Sequence, residues 1–256
     1  YTMAPDAIVY GLGEMPRGIN KRGWHYVANN TDESHHGENK VSYYGAHNFL
    51  LIDGGPGGDL FGVFVDFPGK VHYDIGYTVH DTLRFATEEP DYELYILTGA
   101  DPNDIAHQFR QLIGRSYIPP KWAFGLQQSR WGYKTAEDVR EVARQYKEND
   151  LPLDMICMDI DYMQDYADFT INKERFPDLA ALAAELKAQG IRLVPIIDAG
   201  VRIDPEEPTC TEGLEKGYFC KKEDGTPFVA AVWPGKAYFA DFLRPEVRAW
   251  FGHRYK

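Results

Sequence analysis

The chain after Pro120 alternates between strand-like and helix-like segments, and this alternation restricts the fold more than any other feature. The predicted helices have recognisable ends: Thr135 and Asp138 form a capping box for the first, and Gly190 ends the second. Strands that are joined by helices run parallel, so we expect a parallel sheet, either a (β/α)8 barrel or a doubly wound sheet. In chain order the strand-like and helix-like segments are residues 122–128, 135–150, 154–160, 179–189 and 192–198.

Polar side chains lie at the predicted carboxyl end of each of these strands. They are Gln127 and Gln128 for the first strand, Asp159 and Asp161 for the second, and Asp198 for the third. The active sites of parallel barrels are built from residues at those ends. No GxGxxG or Walker-type loop follows any of the strands, which weakens a nucleotide-binding interpretation. The carboxylates therefore indicate a site at the mouth of a barrel.

The first part of the chain has a different pattern. Short alternating runs separated by glycine-rich turns predict an antiparallel β-sandwich. A single helix is expected at residues 102–113, with Asp101 as its N-cap. Its apolar stripe is predicted to consist of Ile105, Phe109, Leu112 and Ile113. The predicted strands are residues 49–52, 60–67, 71–75, 82–87 and 92–97.

The pair Pro119-Pro120 predicts a domain boundary, with a β-sandwich part at residues 1–118 and a barrel part at residues 119–256. Residues 201–240 are rich in proline and glycine, and we expect an irregular insertion there, functional in itself or a small subdomain. Only the first strands of a barrel are recognisable. Because a half barrel exposes two sheet edges, the remaining strands are expected after Lys256.

Charge and cysteine content indicate which binding partners and which cellular compartment to expect. A net charge of −12 argues against binding to nucleic acid or to an anionic membrane, and no apolar run is long enough to predict a membrane span. The chain has 3 cysteines and no CxxC motif. We therefore expect a reducing, cytoplasmic compartment without a disulfide framework, although Cys210 and Cys220 could pair. Neither the pair His35-His36 nor any other residues show the spacing of a metal site.

Aromatic residues make up 14% of the chain, and aromatic rings beside carboxylates suit the binding of sugars. Six motifs in order resemble the α-glucosidases of glycoside hydrolase family 31. They are YGLGE, NNTDE, YIPPKWAFGLQQSRWGY, LPLDMICMDIDYM, FPDLAALAAELKAQGIRLVPIIDAGV and VWPGKAYFADFLRPEVRAWF.

The resemblance implies a β-sandwich followed by a (β/α)8 barrel, and a retaining hydrolysis of terminal α-linked glucose by two carboxylates, without metal or organic cofactor. The nucleophile of this family lies in a motif of the type WxDMNE, which does not occur in these 256 residues. We therefore expect no catalytic residue in this stretch, and place the nucleophile and the acid/base after Lys256. The expected partner is a small oligosaccharide, and homo-oligomer formation is left open.

The resemblance also implies residue roles. Asp159 is similar to the carboxylate that binds hydroxyls of the non-reducing glucose, with Ile160 in the pocket wall. Asp198 is similar to another pocket acid and Trp233 to the aromatic floor. A structural alternative for Asp159 is that it caps a helix or forms a salt bridge at a strand end. For Asp161, sugar binding, pairing with a local arginine and capping of the next turn are equal alternatives, so it is not one of the predicted site residues.

Two further roles concern the rim of the pocket. Asp32 resembles a loop aspartate that reaches from the sandwich domain over the barrel mouth. Trp131 stands where maltase-type members carry tyrosine and isomaltase-type members carry tryptophan, which implies a preference for α-1,6 linkages. Two alternative functions stay open: a non-catalytic sugar-binding protein, and a metal-dependent barrel hydrolase. The latter would require a His-x-His strand end, which is absent.

Overall fold

The structure is a computed structural model that describes residues 1–255. The chain divides into two compact units, Tyr1–Tyr117 and Ile118–Lys256, and each is described by itself. Within the described residues no helix is both long and apolar enough to cross a membrane.

The first unit, described in full, has two antiparallel sheets whose apolar faces share one core. Every second side chain of a strand points into this core. Examples are Leu50 and Ile52 of one sheet and Tyr73 and Ile75 of the other, all of which are at most 2% exposed. This is the predicted sandwich. One sheet has the order β1 (Ile8–Gly13), β3 (Ala46–Asp53), β4 (Leu60–Asp66), β7 (Glu93–Thr98), and the other β2 (Trp24–Ala28), β5 (Val71–Ile75), β6 (Leu83–Thr87).

All five predicted strands of this unit are present, but β1 and β2 were missed. The alternation of β1 is broken by a bulge between Gly11 and Gly13, where its register with β3 shifts. Gly11 has φ +121°, and a Cβ there would lie 2.2 Å from the carbonyl oxygen of Phe49. Glycine is therefore required by the close approach of the two backbones, and it hides the strand from pattern analysis.

Helix α1 (Pro102–Ile113) has the predicted bounds, and the Asp101 side chain accepts hydrogen bonds from two amides of its first turn. Ile105 is fully buried against the sheet, and the Phe109 ring stacks on Phe49 with centroids 4.1 Å apart. Leu112 and Ile113 are 41% and 55% exposed, so the predicted stripe was wrong at its end. The buried contact with the sheet is concentrated in the first turns of the helix.

This difference gives a stability test. Ile105→Ala should lower the free energy of unfolding of the first unit by about 2–5 kcal/mol, because it leaves a cavity in the core. Ile113→Ala on the same helix should change it by less than about 0.5 kcal/mol, since that side chain is already exposed. Urea denaturation of both variants measures the difference. Equal destabilisation by the two substitutions would contradict this account of the helix packing.

The second unit contains a parallel sheet with the order β10-β9-β8. Its strands are in register, so that Arg130, Met158 and Pro195 end side by side at one edge. The capping box of α2 is confirmed, because Thr135 and Asp138 exchange hydrogen bonds. The sheet and its helices comprise β8 (Gln127–Arg130), α2 (Ala136–Glu148), β9 (Met155–Met158), α3 (Leu179–Ala188) and β10 (Arg192–Pro195).

The first of these strands begins later than predicted. Residues 121–124 form a 3-10 turn, and β8 starts only at Gln127, which pairs with Met155. Gln127 and Gln128 therefore lie at the amino end of the strand, and their predicted place at the carboxyl end was wrong. Gln128 instead donates to the Tyr133 hydroxyl and accepts from that of Tyr146, which anchors α2 to the sheet. The apolar run 122–126 was misleading because its side chains do not alternate between a buried and an exposed face: no residue of the 3-10 turn is buried, and Phe124 is 72% exposed.

Residues 201–240 are not irregular, as one prediction had it, but form a small subdomain, which was the alternative. They form most of a small antiparallel sheet with the order β11-β13-β12 and a short helix, packed on their own apolar core with the final helix. Strands of 3 to 5 residues that include glycine and alanine show no clear alternation, which is why the pattern failed. The elements are β11 (Gly200–Arg202), α4 (Pro208–Glu215), β12 (Val229–Val232), β13 (Gly235–Phe239) and α5 (Pro245–His253).

Candidate functional site

A pocket opens near the carboxyl ends of the parallel strands of the second unit, with a volume of about 560 Å³. Its walls are two indole rings, one phenol ring, two isoleucines and one carboxylate. Four of the six residues predicted from sequence are brought together there. The lining residues are Trp131, Asp159, Ile160, Tyr166, Ile196 and Trp233.

Asp159 follows β9 directly and is the carboxylate of the pocket wall. Its Oδ1 atom accepts a hydrogen bond of 2.7 Å from the Ile160 amide, which caps the 3-10 turn of residues 160–162. The capping alternative for Asp159 is thus correct for one oxygen. That bond fixes the orientation of the carboxylate without using Oδ2, so capping and ligand binding are compatible in this residue.

Trp131 and Trp233 expose 63% and 73% of their surface although both line the pocket. Trp131 follows β8, and Trp233 lies in the turn between β12 and β13. Large aromatic surfaces are normally buried, so two exposed indoles at one pocket indicate a surface that receives a ligand. Flat apolar faces beside a carboxylate suit a ligand with one C–H face and several hydroxyls.

Asp198 lies three residues after β10 and is half-buried. Burial, with the negative charge of Asp159 as a second cause, raises the pKa of Asp198 above its usual value. The two acids are therefore close enough to interact electrostatically, as their positions after neighbouring parallel strands predict. Asp198 is not among the residues that line the pocket volume itself.

Asp32 belongs to the first unit. There its Oδ1 atom accepts a hydrogen bond of 2.8 Å from the Tyr44 hydroxyl, and this bond raises the pKa of Tyr44. Its predicted role above a barrel mouth stays a prediction. Among residues 1–255 no group of three or more His, Cys, Asp or Glu side chains is arranged to hold a metal ion.

Sequence reasoning missed Tyr166, Ile196 and Asp168. Ile196 directly follows β10, so the rule that sites form at strand ends could have identified it. Tyr166 lies in a loop and has a left-handed backbone (φ +61°), which no sequence pattern reveals. Asp168 is 3% exposed, and its Oδ1 atom accepts a hydrogen bond of 3.0 Å from the Asp198 amide.

Two buried acids lie in the segment that follows β9. Burial raises the pKa of Asp168 to about 7, and the charges of Asp198 and Glu207 act in the same direction, against the hydrogen bond from the Asp198 amide. Asp161 is also 3% exposed. In the part of the chain that the structure describes, the Oδ2 atoms of both acids have no hydrogen-bond partner. Asp161 does not line the pocket, and among the described residues its side chain forms no salt bridge.

Two family models match the chain. The description "Glycosyl hydrolases family 31 TIM-barrel domain" matches residues 116–256, and "Glycosyl hydrolase 31 N-terminal galactose mutarotase-like domain" matches residues 1–74. The chain belongs to glycoside hydrolase family 31. This confirms the predicted fold class, a β-sandwich followed by the first strands of a (β/α)8 barrel.

Similar proteins agree with this assignment. Alpha-glucosidase 2 of Bacillus thermoamyloliquefaciens is 40% identical over 96% of this chain and 31% of its own length. Human intestinal sucrase-isomaltase is 31% identical over 98% of this chain and 14% of its own length. A family 31 dextranase of Flavobacterium johnsoniae, solved in complex with isomaltotriose, superposes with a TM-score of 0.85 at 25% identity, covering 99% of this chain and 31% of that one. The chain thus spans less than a third of the length of these three proteins.

The raised pKa of Asp168 predicts a pH effect on stability. Between the ordinary value of 3.8 and about 7, the folded chain keeps a proton on Asp168 that the unfolded chain has released. The free energy of unfolding should therefore fall as the pH rises through this window. Asp168→Asn removes this titration, so the variant should lose less stability than the wild type between about pH 5 and pH 8. Urea denaturation at both pH values measures the free energy of unfolding of the two proteins. An equal loss of stability in the wild type and in Asp168→Asn would contradict the raised pKa of Asp168.

Proposed function

We propose that this protein acts as an exo-α-glucosidase that releases terminal glucose from α-linked gluco-oligosaccharides with retention of configuration, and that the pocket of this chain holds the terminal glucose. The observation that carries the proposal is the convergence of Trp131, Asp159, Ile160 and Trp233 on one pocket. Membership of family 31 and the alpha-glucosidase relatives support the reaction class.

The pocket has the size and chemistry for one sugar unit. Its volume of about 560 Å³ lies in the range of small-molecule sites, roughly 300–1,000 Å³. A carboxylate accepts charge-assisted hydrogen bonds from hydroxyls, and Asp159 Oδ2 is not occupied by the bond that caps the following turn. The indole faces of Trp131 and Trp233 supply the surface for the C–H face of a pyranose ring.

The same acids would assist the chemical step without performing it. In a retaining mechanism two other carboxylates, about 5 Å apart, act as nucleophile and as acid/base. The transition state resembles an oxocarbenium ion and carries positive charge. A negative charge on carboxyl groups beside the pocket favours that positive charge electrostatically, and bonds from sugar hydroxyls to Asp159 can strengthen as the ring flattens.

We further propose a preference for α-1,6 linkages. The support is the exposed indole of Trp131 at the pocket, together with the dextranase bound to isomaltotriose and the sucrase-isomaltase among the similar proteins. An indole is wider than a phenol and offers a different face to the sugar that follows the terminal glucose. A cytoplasmic location remains part of the proposal, on the basis of the free thiols of Cys157, Cys210 and Cys220.

A second candidate is a protein that binds the sugar without cleaving it. It is favoured by one observation: the pocket residues Trp131, Asp159 and Trp233 account for binding, and none of them acts as nucleophile or acid/base in the proposed reaction. The two candidates share the binding step and differ only in glucose release. Binding and turnover therefore have to be measured separately.

Asp159→Asn tests the binding step. The amide oxygen can still cap the turn at Ile160, but the second oxygen becomes a donor and the charge is lost. Isomaltose should bind about 10–100-fold more weakly in calorimetric titration, since hydrogen bonds to charged groups contribute about 1.5–3 kcal/mol. Glu174→Gln is the matched control, because Glu174 is an exposed acid between β9 and α3 that does not line the pocket. Equal binding by the wild type and Asp159→Asn would remove Asp159 from the site.

Glucose release from isomaltose and from maltose tests the reaction and the linkage. Faster release from isomaltose is expected for the wild type, and Trp131→Tyr should shift the ratio toward maltose, because the ring next to the second sugar becomes smaller. Faster release from maltose by the wild type would overturn the α-1,6 preference while leaving the reaction class intact. A folded sample that binds isomaltose but releases no glucose would favour the sugar-binding alternative.

A further inference from the structure

The loop that follows β9 carries one side of the pocket in an unfavourable backbone conformation. Asp165, Tyr166 and Phe169 have φ values of +47°, +61° and +62°, a region that non-glycine residues rarely adopt. Tyr166 is itself part of the pocket wall. Such conformations persist only where surrounding contacts impose them, and they cluster at functional sites.

Local contacts hold this loop in part. The Thr170 hydroxyl accepts a hydrogen bond of 2.9 Å from the Gln164 amide and donates to the Ala167 carbonyl. The Phe169 ring packs edge-on against Phe251, with centroids 5.0 Å apart. These contacts close the loop on itself and attach it to α5, and the Arg202 side chain of β11 donates a hydrogen bond of 3.2 Å to the Asp165 carbonyl.

Besides the backbone hydrogen bond from the Ile196 amide to the Met158 carbonyl, two hydrogen bonds that involve buried side chains connect the two walls. Asp168 Oδ1 accepts from the Asp198 amide at 3.0 Å, and the Tyr162 hydroxyl donates to the Ile196 carbonyl at 2.7 Å. Asp168 and Tyr162 are both 3% exposed. The segment that they reach, residues 196–198, contains Ile196 of the pocket and the neighbouring acid Asp198. Neither Asp168 nor Tyr162 lines the pocket.

We propose that Asp168 and Tyr162 are positioning residues of the sugar site, which fix residues 196–198 against the loop after β9 and thereby set the distance between the two walls of the pocket. The inference rests on the proposed function, because it assigns these residues to the binding of the same sugar. Neither residue touches the ligand; each acts through the backbone of the segment that it holds.

The role of Asp168 depends on an acceptor atom and not on charge. The Asp198 amide is a donor, so residue 168 must present an oxygen to it. Burial opposes ionisation of the acid, and its second oxygen has no hydrogen-bond partner within residues 1–255. An asparagine offers the same acceptor oxygen without charge, whereas leucine has similar bulk and no acceptor. Asp168→Asn therefore tests the effect of the charge, and Asp168→Leu tests the effect of the hydrogen bond at nearly constant side-chain volume.

The experiment measures amide hydrogen exchange at Asp198 and the dissociation constant for isomaltose in the full chain. Asp168→Leu should lower the protection of the Asp198 amide and raise the dissociation constant, each by about tenfold or more, the equivalent of one lost hydrogen bond. Asp168→Asn should keep both within about threefold of the wild type. Tyr162→Phe keeps the ring and removes only the bond to Ile196, so it should weaken binding and carries the test if Asp168→Leu does not fold.

Asp161→Leu is the matched control, since Asp161 is equally buried in the same segment and forms no hydrogen bond to residues 196–198. It should leave the Asp198 amide protected. The proposal is overturned if folded Asp168→Leu binds isomaltose like the wild type, if Tyr162→Phe has no effect on binding, if Asp168→Asn loses as much as Asp168→Leu, or if Asp161→Leu exposes the Asp198 amide to the same degree.

The two readouts separate this inference from the proposed function. If the wild type does not bind isomaltose, the proposed function fails, but loss of protection at Asp198 in Asp168→Leu would still show the connection between the walls. If the wild type binds isomaltose and Asp168→Leu binds it equally well with a protected Asp198 amide, the proposed function stands and the positioning role falls.

Discussion

The site depends on the parallel hydrogen bonding of β8, β9 and β10, whose register makes Arg130, Met158 and Pro195 end side by side. Parallel strands bring residues that are far apart in sequence to one edge of a sheet, and they leave the backbone after each strand free to turn outward. Trp131, Asp159 and Ile196 are the residues that follow those three ends. Their meeting at one pocket is a direct consequence of the register.

The strands alone do not define a pocket, because the residues that follow them lie in loops. In this protein the loop after β9 has three residues with left-handed backbone, and two buried side chains connect it to the segment after β10. The cost of burying an acid such as Asp168 is consistent with a requirement for its acceptor oxygen at that point. In the proposed arrangement these hydrogen bonds orient the segment that carries Ile196 and Asp198, as supporting residues do at other binding sites.

Trp233 reaches the pocket from a different kind of element. It lies in the turn of the small sheet formed by β11, β12 and β13, which has its own apolar core around Val201, Phe219 and Trp250. The exposed Trp233 ring thus lies on a turn whose sheet has its own apolar core. The family 31 barrel of this chain therefore presents Asp159 and Trp131 after its strand ends and Trp233 on the small antiparallel sheet.

The sequence by itself determined the two-part architecture, the bounds of α1, the capping box of α2 and the place of Asp159 at a strand end, because these depend on periodicity, capping and strand ends, which are local patterns. Trp131, Ile160 and Trp233 were predicted from the resemblance to family 31 and not from a local pattern. Sequence analysis missed β1, where a bulge requires glycines, placed the start of β8 too early, at residues that form a 3-10 turn, and expected an irregular insertion at residues 201–240, whose strands are too short to alternate visibly. Only the tertiary structure decided that Tyr166 joins the pocket wall and that Asp168 holds the Asp198 amide. Both depend on backbone conformation and on contacts between residues 30 positions apart, and no local pattern records either.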